Sequence, residues 1–283
     1  MTDETMTDEP IVSPGRGHWR LEDIPFDTID TERAHQNTQL FYMLTVASFV
    51  EITSDLYTGN LVRYFAEDRE VRDWLQNQWE PEEIQHGAAL RRYVNTVWPE
   101  FDWDTTYRSF HGEYAKVCGM DSVGPSRALE MAARCVVETG TSALYTTLQR
   151  LSPEPVLTRL TGLIRNDEVR HYKHFYRYFM RYRGAENPGR YAVLRILWGR
   201  IAEIEDEDGY YAFKHVFQGC HPERPFRRRD YLDFIKICRD HAKAHYPFEM
   251  AVKMFLKPLK LNRYVQRATV PLLSVGARHL LLR

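Results

Sequence analysis

Apolar residues recur at helical spacing along most of the chain, and no alternating run long enough to make a useful strand interrupts them. The most apolar stretch, Leu40 to Ile52, contains a single acid, Glu51. At thirteen residues it is too short to span a bilayer and reads as a buried core helix. The pattern predicts a first helix from about Thr31 to Phe65, with Gly59 a weak point, and a second from about Pro81 to Val97. Trp98-Pro99 ends the second, because the residue before a proline disfavours the helical region. Phe101 to Pro125 is an aromatic and glycine-containing connection with room for short helical pieces. A third helix is expected from about Ser126 to Leu151. The fourth opens on Ser152-Pro153-Glu154, with a cap, a first-turn proline and an acid at the positive end of the dipole. It runs to about Arg183, where Gly184 and Pro188 stop it.

Residues 186–283 are again mostly helical, cut into shorter pieces by Pro222, Pro225, Pro247, Pro258 and Pro271. Residues 1–30 lack helical periodicity and are expected to form a disordered or loosely packed arm. The fold class is therefore all-α, with a four-helix core over residues 31–185 and a C-terminal helical extension packed on it.

Composition narrows the function. The chain is 43% hydrophobic, enough for a substantial core, and its formal charge of −1 provides no field to collect nucleic acid. Cys118, Cys135, Cys220 and Cys238 form no C-x-x-C pair, which argues against a zinc ribbon or a rubredoxin-type iron site. Met1 to Pro10 is acidic without an apolar core and does not read as a signal peptide. A reduced, cytoplasmic setting without a membrane span is the expectation.

The chemistry lies in a duplicated pattern. Glu83 and His86 form one Glu-x-x-His, and Glu168 and His171 form another. Each is preceded by a lone glutamate after an apolar run, Glu51 and Glu138. The separations are 83 − 51 = 32 and 168 − 138 = 30 residues, so the halves repeat at a shift of 85 to 87. On a helix, positions i and i+3 share a face, so each pair can grip one ion. Four carboxylates and two imidazoles in this order are the ligand set of a di-iron or di-manganese centre in a four-helix bundle. Such mixed oxygen and imidazole donors suit iron or manganese.

One Glu-x-x-His alone is most often a solvated helix face. A glutamate inside an apolar run is harder to dismiss, because an unpaired buried carboxylate is costly. Glu51 is the only acid between Glu32 and Asp55. Asp167, next to Glu168, can accept the outer N–H of a liganding histidine. Thr141, one turn beyond Glu138, can face an oxygen-binding pocket as a proton donor or simply bond its own helix backbone. Asp55 is a weaker candidate.

Read whole, Trp79-Glu80-Pro81-Glu82-Glu83-Ile84-Gln85-His86-Gly87 gives W-x-x-E-E-x-x-H-G, and Asp167-Glu168-Val169-Arg170-His171 gives D-E-x-R-H. With Thr141 three residues after Glu138, these resemble the soluble acyl-acyl-carrier-protein desaturases of the ferritin-like superfamily, over roughly residues 35–183. The resemblance implies a non-haem di-iron oxidoreductase that takes O₂ as co-substrate and draws electrons from an external reductant. Glu51, Glu83, His86, Glu138, Glu168 and His171 would hold the two Fe ions, with Mn as the other fitting metal. Thr141 would border the oxygen pocket, and Asp167 with Trp79 would lie near an electron route. The substrate would be apolar, as a small molecule or an acyl group on a carrier protein, and the donor a protein such as a ferredoxin. Desaturation, hydroxylation and N-oxygenation stay open, and so does the oligomer, a homodimer included. The tail from residue 190 has no counterpart in that family.

Relatives fit less well. Leu90 stands where a ribonucleotide reductase small subunit carries its radical tyrosine, and Ile164 where the arylamine N-oxygenases carry an extra histidine. A ferroxidase or iron-handling bundle is the alternative, and a bundle keeping its metal for structure or sensing is a third reading. His241 and His245 lack the glutamate of a zinc-protease motif and read as structural or solvated. His174 reads as packing. The cluster Arg227-Arg228-Arg229 reads as a helix start, with docking of an acidic carrier as the sharper option. The aromatic residues of the fourth helix, and Tyr145 of the third, read as core packing.

Overall fold

The computed structural model describes residues 19–118, 123–152, 154–203 and 208–282, and among them it is all-helical without a strand. After α1 (Thr31–His35), Asn37 caps α2 (Thr38–Ile52) by accepting from Leu40 N at 3.0 Å. α2 is apolar all round and accordingly buried on nearly every side. The expected single helix over 31–65 is three, because the chain turns at Gln36-Asn37 and again at Thr53. α3 (Ser54–Tyr64) follows directly, and Gly59 lies inside it without breaking it.

The second expected helix extends further upstream. α4 (Arg69–Trp74), capped by Asp68, continues through a π-helical stretch, Leu75–Trp79, into α5 (Glu80–Val97). Pro81 has no N–H to give four residues back, and its ring crowds that carbonyl. The widened π turns lie just before it, so the helix passes the proline instead of starting there. Trp98 ends α5 as expected.

The aromatic connection contains α6 (Trp103–Tyr114), capped by Asp102. α7 (Arg127–Leu151) is capped by Ser126. α8 (Pro155–Glu186) begins later than Ser152-Pro153-Glu154 suggests. Glu154 itself is the cap, accepting from Val156 N and Leu157 N at 2.9 and 2.8 Å, and Pro155 takes the first-turn position. Pro153 lies outside the described residues. α8 passes Gly184 and ends at Asn187, whose φ of 46° turns the chain before Pro188.

α2 packs on α5, α7 on α8, and α5 meets α8. The remaining helices are α9 (Arg190–Glu203), α10 (Asp208–Cys220), α11 (Arg228–His245), α12 (Phe248–Leu256) and α13 (Arg263–Leu282). α9 and α12 lie on α7, α10 on α2 and α6, and α13 on α11 and α12. Pro271 does not cut α13 but sits within it. The carbonyl it leaves without a donor belongs to Arg267, an exposed residue, where water can serve.

The arm expected over residues 1–30 divides. Residues 1–18 lie outside the described ones. From Trp19 the chain is packed, with Trp19, Ile24, Phe26 and Ile29 buried in the main core. Four apolar anchors in eleven residues, without helical period, hold a segment that periodicity alone assigns to a loose arm.

Two large apolar clusters flank the motif residues, and a smaller third gathers Phe213, Phe217 and Tyr231. One of the large clusters contains Phe49, Leu90, Tyr145 and Ile164, the other Trp79, Val136 and Phe175. Along α5, α7 and α8 the motif acids and histidines fall between residues of the two clusters, forming a buried polar layer.

Candidate metal centre

All six expected ligands converge in that layer. Glu51 is 7% exposed, Glu138 1%, and both histidines are fully buried. Oxygen and nitrogen atoms of Glu51, Glu83, His86 and Glu168 lie within 4.8 Å of one another, and so do those of Glu83, Glu138, Glu168 and His171. Glu83 and Glu168 belong to both groups. The arrangement can therefore hold two ions, each with one imidazole and one carboxylate of its own and two carboxylates shared. Four carboxylates balance the charge of two divalent cations.

The inner faces of the histidines are consistent with such a site. His86 Nδ1 lies 3.1 Å from Glu168 Oε1, and His171 Nδ1 lies 3.0 Å from Glu83 Oε1, yet neither nitrogen makes a well-aligned hydrogen bond. Glu138 Oε2 and Glu168 Oε1 are likewise buried without a hydrogen-bond partner. Buried polar atoms are almost always satisfied. Four exceptions within one layer, His86 Nδ1, His171 Nδ1, Glu138 Oε2 and Glu168 Oε1, fit metal ions as the missing partners.

The outer nitrogens fix the tautomers. His86 Nε2 donates to Asp167 Oδ2 at 3.1 Å, as expected for Asp167. His171 Nε2 donates to Glu82 Oε2 at 2.7 Å. A carboxylate only accepts, so each Nε2 carries the proton and each Nδ1 offers its lone pair inward in the neutral ring. Arg170 joins the two acids, with Nη1 at 2.8 Å from Asp167 Oδ1 and Nη2 at 2.8 Å from Glu82 Oε2. Sequence reasoning passed over Glu82, although it precedes Glu83 as Asp167 precedes Glu168.

The tryptophan beside Asp167 is Trp19, not Trp79. Trp19 Nε1 donates to Asp167 Oδ2 at 2.8 Å, and its ring stacks parallel to His86 with centroids 6.1 Å apart. Trp79 packs on Phe175 and borders the cavity described below. The Trp19 contact spans 148 residues of sequence and carries no local signal.

Thr141 Oγ1 donates to Glu168 Oε2 at 2.5 Å, with its own helix carbonyls, Val137 O and Glu138 O, at 3.4 and 3.3 Å. Tyr145 donates to Glu51 Oε1. Thr141 borders a cavity of about 70 Å³ that also touches Glu51, Glu83, Glu138 and Glu168, with Arg134 and Tyr57 among its other walls. Arg134 is buried and paired with Glu130 at 2.6 Å.

Without metal the layer holds protons. Burial first, then the Glu83 carboxylate, pushes Glu51 up to about 8. Burial likewise holds Glu138 well above the usual carboxylate range and raises Glu168. Burial would also raise Glu83, but the His171 and His86 imidazoles beside it outweigh that and hold it well below the usual carboxylate range. Burial opposes charge on both histidines, and the surrounding carboxylates outweigh it, holding them well above the ordinary imidazole range.

The other candidates fall outside the centre. Asp55 is exposed. His174 stacks on Trp74 at 4.9 Å. Arg227 to Arg229 are exposed at the start of α11, where Asp230 accepts from Arg227 N at 2.8 Å. The side chain of His241 lies outside the described residues. Tyr145 is a neighbour of the ligands and more than a packing residue.

No protein-family model, curated protein or solved structure matches the chain.

Proposed function

We propose that the chain is a ferritin-like four-helix bundle holding two iron ions, and that it is an O₂-dependent oxidoreductase. The observation that carries this reading is the pair of ligand groups sharing Glu83 and Glu168, with both histidine Nδ1 atoms buried and unsatisfied at their centre. Manganese fits the same donors. Two such ions, when bound, supply O₂ binding and the redox equivalents for attack on an unactivated C–H bond.

The protein's own groups would do the rest. Asp167 and Glu82 orient the imidazoles, and those rings together with Arg170 favour the charged form of both carboxylates. Thr141, at the cavity wall and in contact with Glu168, is placed to hand a proton into the cavity. Trp19, hydrogen-bonded to Asp167, takes the position near an electron route that the resemblance suggests for Trp79. Two electrons come from the substrate and two from an external donor such as a ferredoxin, reducing O₂ to two waters in a desaturation. The apolar clusters on either side exclude bulk water. The substrate class on this reading is apolar, a carrier-bound acyl group among its members.

A second reading is favoured by one observation. A cavity of about 70 Å³ accommodates O₂ and water but not the length of an acyl chain. That suits a ferroxidase, whose only substrates are Fe²⁺ and O₂. One experiment separates them. Purified protein is loaded anaerobically with Fe²⁺, analysed for iron, and exposed to O₂ with and without a reductant and acyl substrates. Two irons per chain with reductant-dependent O₂ uptake and an oxidised organic product support the oxygenating enzyme. O₂ uptake driven by Fe²⁺ alone, with no organic product, supports the ferroxidase. Failure to bind two ions rules out both.

A further inference from the structure

Residues 250–283 contain no aspartate or glutamate, against Lys253, Lys257, Lys260, Arg263, Arg267, Arg278 and Arg283, in a chain whose 38 basic and 39 acidic residues nearly cancel. The fold gathers much of this charge at one place. α12 and α13 pack together, and Tyr172 of α8 donates to Met254 O at 2.6 Å. Where the three helices meet is a cavity of about 630 Å³. The exposed cations Lys173, Lys257, Arg263 and Arg267 line it, together with the apolar Val169, Met254 and Val270. The acid in its lining, Glu249, is taken by Lys253 at 2.6 Å. The cavity is amphipathic and positive, with the capacity for one anionic headgroup and the start of a tail.

α13 adds a second, independent feature. Val270 faces the body and is 4% exposed. Tyr264, Ala268, Leu272 and Val275, spaced i, i+4, i+8 and i+11, share another face, and all are exposed, Leu272 at 72%. At 100° per residue, Arg267 and Arg278 lie along one border between the two faces, with Arg263 closer to the Val270 side. An exposed apolar stripe edged by arginines is the pattern of a helix that lies in a membrane interface. No helix among the described residues is long and apolar enough to cross a membrane.

We propose that α12 and α13 dock this protein on an anionic phospholipid surface, with a lipid phosphate in the cation-lined cavity and the Tyr264–Val275 face at the acyl boundary. Cavity and stripe together select this occupant. An acidic protein would use the cations and leave Leu272 and Val275 in water. A second copy of the chain, paired about a two-fold axis through this face, would bury the stripe but bring the arginines of the two copies toward one another.

The test is co-sedimentation of the full chain with phosphatidylcholine vesicles, with and without phosphatidylglycerol. Binding is expected on the anionic vesicles alone and weakens as salt is raised. The double variant Lys257→Gln with Arg267→Gln lowers the partition coefficient roughly thirtyfold, from ~1 kcal/mol per cation near such a surface. Leu272→Ser with Val275→Ser also lowers it, while the helical signal and melting curve stay put, because both side chains are exposed. Equal binding to neutral vesicles, or none to anionic ones, overturns the proposal. So does release of bound protein by soluble glycerol phosphate, which would make a free phosphate compound the ligand. A dimer in light scattering that Leu272→Ser dissociates would make the stripe an interface between copies and overturn it as well.

Discussion

Asp167 and Glu82 do for His86 and His171 what a clamp does for a swivelling part. Each takes the outer N–H of one ring, and Arg170 braces both. Loss of such an outer partner typically costs about 10–100-fold in metal affinity. Asp167→Asn and Glu82→Gln are each expected to weaken Mn²⁺ binding in that range, followed by the loss of free-ion signal in electron paramagnetic resonance titrations. Unchanged affinity in both would mean the histidines are not ligands. The buried acids also set a pH dependence. Glu51, raised to about 8 from 4.5, prefers its proton in the folded protein. Its contribution to stability is complete below 4.5 and is lost as pH rises toward 8, because the unfolded chain ionises first. The raised histidines act in the same direction, their contribution being present below 6.5 and lost as pH climbs through their folded values. The metal-free protein, held in chelator, should therefore melt at progressively lower temperature between about pH 5 and 8. With Mn²⁺ or Fe²⁺ present the decline should flatten or reverse, since the ions displace those protons. Calorimetric scans with and without metal decide it. At this scale the six ligands and Asp167 are legible in sequence, because charged groups in apolar runs and at i, i+3 spacing are local facts. Trp19 is not, because its partner lies on a helix 148 residues away.

Between elements, α2 and α5 approach closely at Gly87. A Cβ at Gly87 would lie 2.6 Å from Ile52 N and 2.9 Å from Ser48 O, both backbone atoms that cannot step aside as a flexible side chain can. Glycine inside a helix ordinarily costs about 1 kcal/mol relative to alanine, so on propensity alone Gly87→Ala would stabilise. Here the crowding reverses the sign. Gly87→Ala is expected to lower stability by about 1–3 kcal/mol, read from urea midpoints, and to weaken metal binding by moving His86 away from Glu51. Gly59 is the control. Nothing lies within 4 Å of a Cβ there, so Gly59→Ala should stabilise, by up to about 1 kcal/mol. Helix interiors were readable from periodicity, while the ends went to local chemistry that periodicity does not register. Ser126 caps α7 as its position suggests, but at α8 the cap passes from Ser152 to Glu154, whose carboxylate reaches two backbone N–H groups at once. Pro81 and Pro271, read as punctuation, both lie within helices, one behind a π-helical stretch and one on an exposed face.

Across the whole molecule, the halves built by α2 with α5 and by α7 with α8 share one polar layer, and the segment from Trp19 to Ile29 seals one side of it. That segment fastens Asp167 and His86 at its first residue and places Ile24, Phe26 and Ile29 in the core. Each such side chain contributes on the order of 1.5–3 kcal/mol when buried. Their sum is comparable with the roughly 5–15 kcal/mol that holds a typical domain together. A chain beginning at Thr31 should consequently unfold at much lower urea or fail to fold, whereas one beginning at Trp19 keeps these anchors and should retain most of the parent stability. Trp19→Phe isolates the contribution to the centre, keeping most of the buried ring but removing the donor to Asp167. Its melting temperature should fall by only a few degrees, the equivalent of about 1 kcal/mol. Its metal affinity should fall with that of Asp167→Asn, and the double variant should lose little more than either alone, because both changes act through the orientation of His86. Full additivity in that cycle would detach Trp19 from the centre and leave it as a core anchor only.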